Sequence, residues 1–204
     1  MYRRVTKTSL WWAAMGLLLL GIGLLSGCGG AKHEFAGAVI DPPQPLSDFT
    51  LRTAGDTPVS LSDFRGQYVY IYFGYTFCPD FCPTTMSALN RARRELGDDA
   101  DRMQVVMITV DPERDTPDVV ANYVYFFDPS YVGLSGTTAE IDAAGEPFGI
   151  FYQKHEGSAA SGYLVDHSTR TYLIDPEGNY RVAYPYETTP EQFAEDLRWL
   201  IENE

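Results

Sequence analysis

Two cysteines interrupt this chain where a buried strand must give way to a helix. YVYIYFGY (68–75) is an unbroken run of aromatic and β-branched residues, the make-up of a central strand covered on both faces. FCPDFCP (77–83) follows at once. Then comes TTMSALNRARREL (84–96), apolar at helical spacing and closed by Gly97, which predicts a helix from about Pro83 to Leu96. Cys78 and Cys82 therefore fall in or beside the first turn of a helix that leaves the end of a strand. Backbone N–H groups there lack partners and the helix dipole is positive, so thiolate is favoured over thiol. A thiolate is both a nucleophile and a soft metal ligand.

The rest of the chain alternates in the same way. MQVVMITV (103–110) reads as a second buried strand. Thr116-Pro117 opens a helix carrying Val119, Val120, Tyr123, Phe126 and Phe127, with proline where no amide is needed. VGLSG (132–136) is a short strand or turn, Thr138 to Phe148 a helix, and Phe151 to Lys154 a weak strand. TYLID (171–175) and YRVAY (180–184) form a hairpin around Pro176-Glu177-Gly178-Asn179. Pro190 opens a last amphipathic helix with Phe193, Leu197, Leu200 and Ile201 on one face. Upstream, Phe49–Leu51 and Val59–Leu61 make an N-terminal hairpin turning near Gly55-Asp56. The whole is an α/β domain over 46–204, a central mixed sheet flanked by helices. The cysteine pair at the end of the first central strand gives it a thioredoxin-like layout.

The first 27 residues are of another kind. Arg3, Arg4 and Lys7 precede an uncharged apolar stretch, LWWAAMGLLLLGIGLLSG (10–27), the layout of a secretory signal. It ends in Leu25-Ser26-Gly27-Cys28, which resembles a bacterial lipobox, in which the cysteine is acylated and becomes the mature N-terminus. The competing reading is a plain membrane anchor, since about 17 apolar residues just span a bilayer. Either way the domain is held at a membrane on its extracytoplasmic side. GGAKHEFAGAVIDPPQP (29–45) reads as a flexible tether, with room for a short strand at Phe35–Ile40. The chain carries 15 Lys and Arg against 28 Asp and Glu, a net charge of -13. Loss of residues 1–27 would remove three positive charges and take it to -16, an acidic surface that argues against nucleic-acid binding.

With Cys28 lipidated, Cys78 and Cys82 are the remaining thiols. A structural staple gains stability by closing a long loop, and this loop holds only Pro79, Asp80 and Phe81. C-x-x-x-C alone leaves a redox pair and a metal clamp open. The chain has three histidines. His33 lies in the tether and His155 in an expected loop, whereas His167 lies just before the strand at 171–175, on the approach that faces the cysteine turn in a thioredoxin-like layout. Thioredoxins place a proline there, and this chain has none between Pro147 and Pro176.

FGYTFCPDFCPTTM, TVDPERDTP (109–117) and DHSTRTYLIDPEG (166–178) together resemble the three signatures of the Sco/SenC family, in the right order, over roughly residues 46 to 203. The resemblance implies a membrane-tethered thioredoxin fold that binds one copper ion, Cu(I) or Cu(II), through Cys78, Cys82 and His167. It also implies a role in assembling the CuA centre of cytochrome c oxidase, with oxidase subunit II or a copper-relay protein as partner. The chain would then act as metallochaperone, or as thiol-disulfide oxidoreductase through Cys78 and Cys82. Two thiolates and an imidazole suit copper, whereas zinc usually takes a fourth ligand. A peroxidase of the peroxiredoxin type, using Thr84 or Thr85 beside a cysteine, fits the paired cysteines and the histidine least. Met86 reads as a packing residue rather than a thioether donor. Asp111, Arg114 and Asp115 read as a loop held by local capping and ion pairs, with orientation of the site or partner docking as the alternative. Asp166 is placed to fix the His167 ring or to cap the turn, and Asp80 is not expected to be a ligand.

Overall fold

The structure, a computed structural model, describes residues 33–156 and 162–204. Phe35–Glu204 forms one compact unit. Its strands are β1 (Ala38–Pro45), β2 (Thr50–Thr53), β3 (Thr57–Ser60), β4 (Tyr68–Gly74), β5 (Met103–Thr109), β6 (Val132–Leu134), β7 (Tyr152–Glu156), β8 (Tyr163–His167), β9 (Thr171–Ile174) and β10 (Asn179–Tyr184). The helices are α1 (Phe81–Glu95), α2 (Pro117–Tyr125), α3 (Thr138–Gly145) and α4 (Pro190–Asn203). Six strands form the central sheet in the order β1-β10-β9-β4-β5-β6. β4, β5 and β6 run parallel, and β9, β10 and β1 add antiparallel. This is the expected mixed sheet of a thioredoxin-like fold, with the β2–β3 hairpin as its N-terminal extension.

β4 and β5 are buried at every position, as their unbroken apolar runs require. Alternation sends neighbours in β4 to opposite faces. Tyr70 stacks near Tyr184 and meets Phe193 of α4 edge-on, and Tyr72 points to α1. Phe73, on the other face, packs against Phe148 and Tyr172. The starts of three helices follow from their capping residues. Thr116 accepts the Val119 amide, and Thr137 with Glu140 and Thr189 with Gln192 form capping boxes. The expected helix over 138–148 is α3 followed by a 3-10 turn, Glu146–Phe148, ended by left-handed Gly149.

Two expectations shift. The tether expected over 28–45, with room for a short strand at Phe35–Ile40, holds a longer strand than that: Ala38–Pro45 is an edge strand paired with β10. Its prolines, Pro42, Pro43 and Pro45, suggested a linker, but an outermost strand leaves one row of amides unpaired and so accommodates them; the register breaks between Val39 and Gln44. His155 and His167, expected in loops, lie on β7 and β8, a two-stranded hairpin separate from the main sheet. The signal segment 1–27 and Cys28 lie outside the described residues. No helix among the described residues is long and apolar enough to cross a membrane.

Candidate metal centre

β4 ends at Gly74, and the chain turns through Tyr75, Thr76 and Phe77 into the cysteine loop. α1 begins at Phe81, earlier than expected, so Cys82 lies in its first turn and Cys78 precedes it. Asp80 occupies the N-cap position, but its side chain caps nothing. The Cys78 sulfur takes over instead, accepting the Cys82 amide at 3.5 Å. A sulfur that caps a helix is best satisfied as thiolate. Accordingly the Cys78 thiol is pulled down to about 4 from an ordinary 9.0, chiefly by a hydrogen bond from the Cys82 side chain. The amides of Asp80 and Cys82 assist, against the opposing effect of burial. Burial pushes the Cys82 thiol well above the ordinary value, and the neighbouring Cys78 adds to this. Cys82 is fully buried and Cys78 7% exposed. Both are free thiols.

Gly74 makes room for this arrangement. A Cβ there would lie 2.7 Å from the Cys82 sulfur and 2.7 Å from the Tyr72 ring, far inside contact distance. Tyr72 donates its hydroxyl to the Cys82 sulfur at 3.7 Å.

β8 delivers the third donor. His167 Nε2 lies 3.6 Å from Cys82 Sγ, and the ligand atoms of Cys78, Cys82 and His167 all fall within 4.8 Å of one another, the only such convergence among the described residues. Nδ1 lies 2.9 Å from the Ser168 carbonyl. A carbonyl only accepts, so Nδ1 carries the proton and Nε2 turns its lone pair to the sulfurs. Tyr72 and Tyr75 wall the ring edge-on, at 6.0 and 5.6 Å between centroids. Metal–sulfur bonds of about 2.3 Å and metal–nitrogen bonds of about 2.0 Å separate the donors of a trigonal site by roughly 3.5 to 4 Å. The observed spacing fits that with small side-chain adjustments. A cleft of about 470 Å³ opens on the group, lined by Tyr75, Pro79, Phe81 and Leu164 besides Cys78 and His167.

The remaining candidates separate by face and by depth. Asp166 does not reach His167; it meets His155 Nε2 at 3.1 Å. Register explains this. Gln153 opposes Asp166 and Tyr152 opposes His167, so His155 is the diagonal neighbour of Asp166 on the face away from His167. Met86 is fully buried within the core. Asp115, also fully buried, accepts from the Thr76 amide (2.8 Å), the Thr76 hydroxyl (2.5 Å) and the Thr109 hydroxyl (2.7 Å). It ties the loop that leads into Cys78 to the end of β5, a longer reach than local capping. Asp111 pairs with Arg114 and accepts the Tyr163 hydroxyl at 2.6 Å. Sequence reasoning missed Tyr72, Gly74 and Tyr163; a glycine closing an otherwise bulky strand beside a cysteine loop was the one available signal.

Comparison with known proteins agrees with this geometry. The sequence profile described as SCO1/SenC matches residues 39–202. The mitochondrial SCO2 homolog of Mus musculus is 38% identical over 153 residues, 74% of this chain and 60% of that protein; the chain spans about half to three fifths of the length of the mammalian relatives it matches. Among solved structures, apo Sco1 from Thermus thermophilus is similar at a TM-score of 0.75 and 40% identity, covering 84% of this chain and 99% of that one. Bradyrhizobium japonicum ScoI with copper bound is similar at 0.68 and 35%, covering 76% and 98%. Three donors brought together from the cysteine loop after β4 and from β8, the profile match over most of the domain and these likenesses agree: the chain belongs to the SCO1/SenC family.

Proposed function

We propose that this chain is a membrane-tethered copper carrier that assists assembly of the CuA centre of cytochrome c oxidase. Cys78 and Cys82, as thiolates, and His167, through Nε2, hold one copper ion as cargo. Residues 1–27 are a signal peptide removed on export, Cys28 carries the lipid, and the domain works on the extracytoplasmic side. Its partner is the copper-accepting oxidase subunit II or a copper-relay protein. The observation that carries the reading is the 3.6 Å approach of His167 Nε2 to the Cys82 sulfur, since dithiol chemistry alone needs no imidazole there. The ScoI structure with copper bound, 35% identical, supports the choice of metal. Sulfur and imidazole donors are soft to borderline, which suits copper in either common oxidation state.

Titration of the purified, reduced chain with copper tests this. The wild type should take up about one ion, with sulfur-to-copper charge transfer in the Cu(II) form. His167→Ala should bind at least about tenfold more weakly. Equal uptake by that variant would remove the imidazole from the site.

The paired thiols also favour a second reading, a thiol-disulfide oxidoreductase. The Cys78 thiolate attacks a partner disulfide, one partner sulfur leaves as thiolate, and Cys82 then displaces the other, leaving a Cys78–Cys82 disulfide. Under that reading His167→Ala keeps oxidase assembly in cells while either cysteine variant abolishes it.

A further inference from the structure

The two sulfurs and the imidazole ride on different parts of the domain. Cys78 and Cys82 belong to the loop and helix that continue β4, bonded into the main sheet. His167 ends β8, whose one ladder partner among the described residues is β7. Something must set that hairpin at the distance where its imidazole reaches the sulfurs. Tyr163, Val165 and His167 share one face of β8, and that face meets the body of the domain: the Tyr163 hydroxyl bonds Asp111 and the Val165 amide bonds the Tyr75 hydroxyl.

Arg114 is where the parts meet. It lies on the loop after β5 and touches none of the three donors. Its Nη1 donates to the Tyr163 carbonyl at 2.9 Å. Its guanidinium lies 3.7 Å from the centroid of the Tyr163 ring and 4.8 Å from that of Phe77, the residue before Cys78. The Tyr75 ring, which also contacts His167, is 5.7 Å away. Nε pairs with fully buried Asp111, and Asp111 in turn accepts the Tyr163 hydroxyl. Nη2 is buried with no hydrogen-bond partner, so the group is held by its stacking and by its other two nitrogens. A planar, forked cation does all this at once; a lysine keeps the charge but loses the fork and the stacking.

We propose that Arg114 is the positioning residue for His167: it clamps the β7–β8 hairpin to the cysteine loop and so sets the imidazole at the sulfur pair. The proposal rests on His167 as a copper ligand. Its own signature is coupling. Arg114→Ala should weaken Cu(II) binding by about tenfold or more, the range for residues that orient a ligand, and should remove nitrogen hyperfine structure from the Cu(II) resonance spectrum. Arg114→Lys should fall between. In the Arg114→Ala/His167→Ala double variant, binding should match His167→Ala alone within about twofold, because both changes remove one contribution.

A metal-free readout stands beside these. Amide hydrogen exchange in the apo protein should quicken at Val165 and His167 in Arg114→Ala and Arg114→Lys, with β4 and β5 unchanged. If His167→Ala weakens copper but both Arg114 variants bind like wild type with nitrogen coupling intact, the clamp is overturned. Unchanged exchange in the hairpin overturns it as well. If His167→Ala binds like wild type, the copper reading fails instead, and the exchange data still decide whether Arg114 holds the hairpin. If Arg114→Ala does not fold, Arg114→Lys decides by the same spectrum and exchange rates.

Discussion

At the scale of single residues, the site depends on an uneven pair of thiols. Cys78 is depressed to about 4 and Cys82 raised above its ordinary value, so they bear on stability with opposite signs. Between about pH 4 and 9 the unfolded chain holds a proton on Cys78 that the native state does not. Folding stability from Cys78 is therefore complete above about 9, declines as pH falls, and is gone below about 4. Cys82 contributes below about 9 and loses its contribution as pH rises further. Urea midpoints of the metal-free protein should climb from pH 5.5 to 8.5, and Cys78→Ser should flatten that climb; parallel curves would show that Cys78 is not the low-pKa thiol. The two cysteines were legible from spacing and from their place after a buried strand. His167 was legible only through the motif around it, because one histidine carries no periodicity. Tyr72 reads as an ordinary strand residue, since a hydroxyl aimed at sulfur leaves no trace in a hydrophobic pattern, whereas Gly74 stands out only as a glycine closing a bulky strand.

At the scale of elements, close packing of a helix against a strand governs the far edge of the sheet. Gly133 at the centre of β6 lies under α2, and a Cβ there would come within 2.5 Å of the Val120 carbonyl oxygen. Gly133→Ala should therefore cost about 1 to 3 kcal/mol as α2 is pushed outward, seen as a lower urea midpoint. Copper uptake should be kept, because β6 lies beyond β5 from the cysteine loop. Elements with strong local chemistry were legible: β4 and β5 by continuous apolar runs, α2 and α4 by the proline that opens each, the β9–β10 hairpin by its turn. Of the β7–β8 hairpin only a weak strand at 151–154 was legible, for YQKHE and YLVDH mix charges with aromatics and bury few positions. Its order comes from contacts such as Tyr163 with Asp111, distant in sequence. β1 was half-legible for the converse reason: its prolines spoke of a linker, and only the edge of a finished sheet explains them.

At the scale of the whole molecule, the pairing of β1 shortens the reach of the domain. A tether over 29–45 allows at most about 60 Å, but once Ala38 is in the sheet only residues 29–37 remain, at most about 30 Å when fully extended. If Cys28 carries the lipid as proposed, that shorter reach would hold the site close to the membrane surface. Cys28→Ser should move the full chain from the detergent phase to the aqueous phase on detergent partitioning of cells; retention with the membrane would mean that the apolar segment itself stays as anchor. The tight fit of Gly74 has a consequence at this scale too. The backbone at Gly74 and the Tyr72 hydroxyl crowd the Cys82 sulfur from within, while the cleft lined by Cys78 and His167 opens outward. Under the carrier reading, a donor and an acceptor that both reach the sulfurs through this cleft would have to take turns at it.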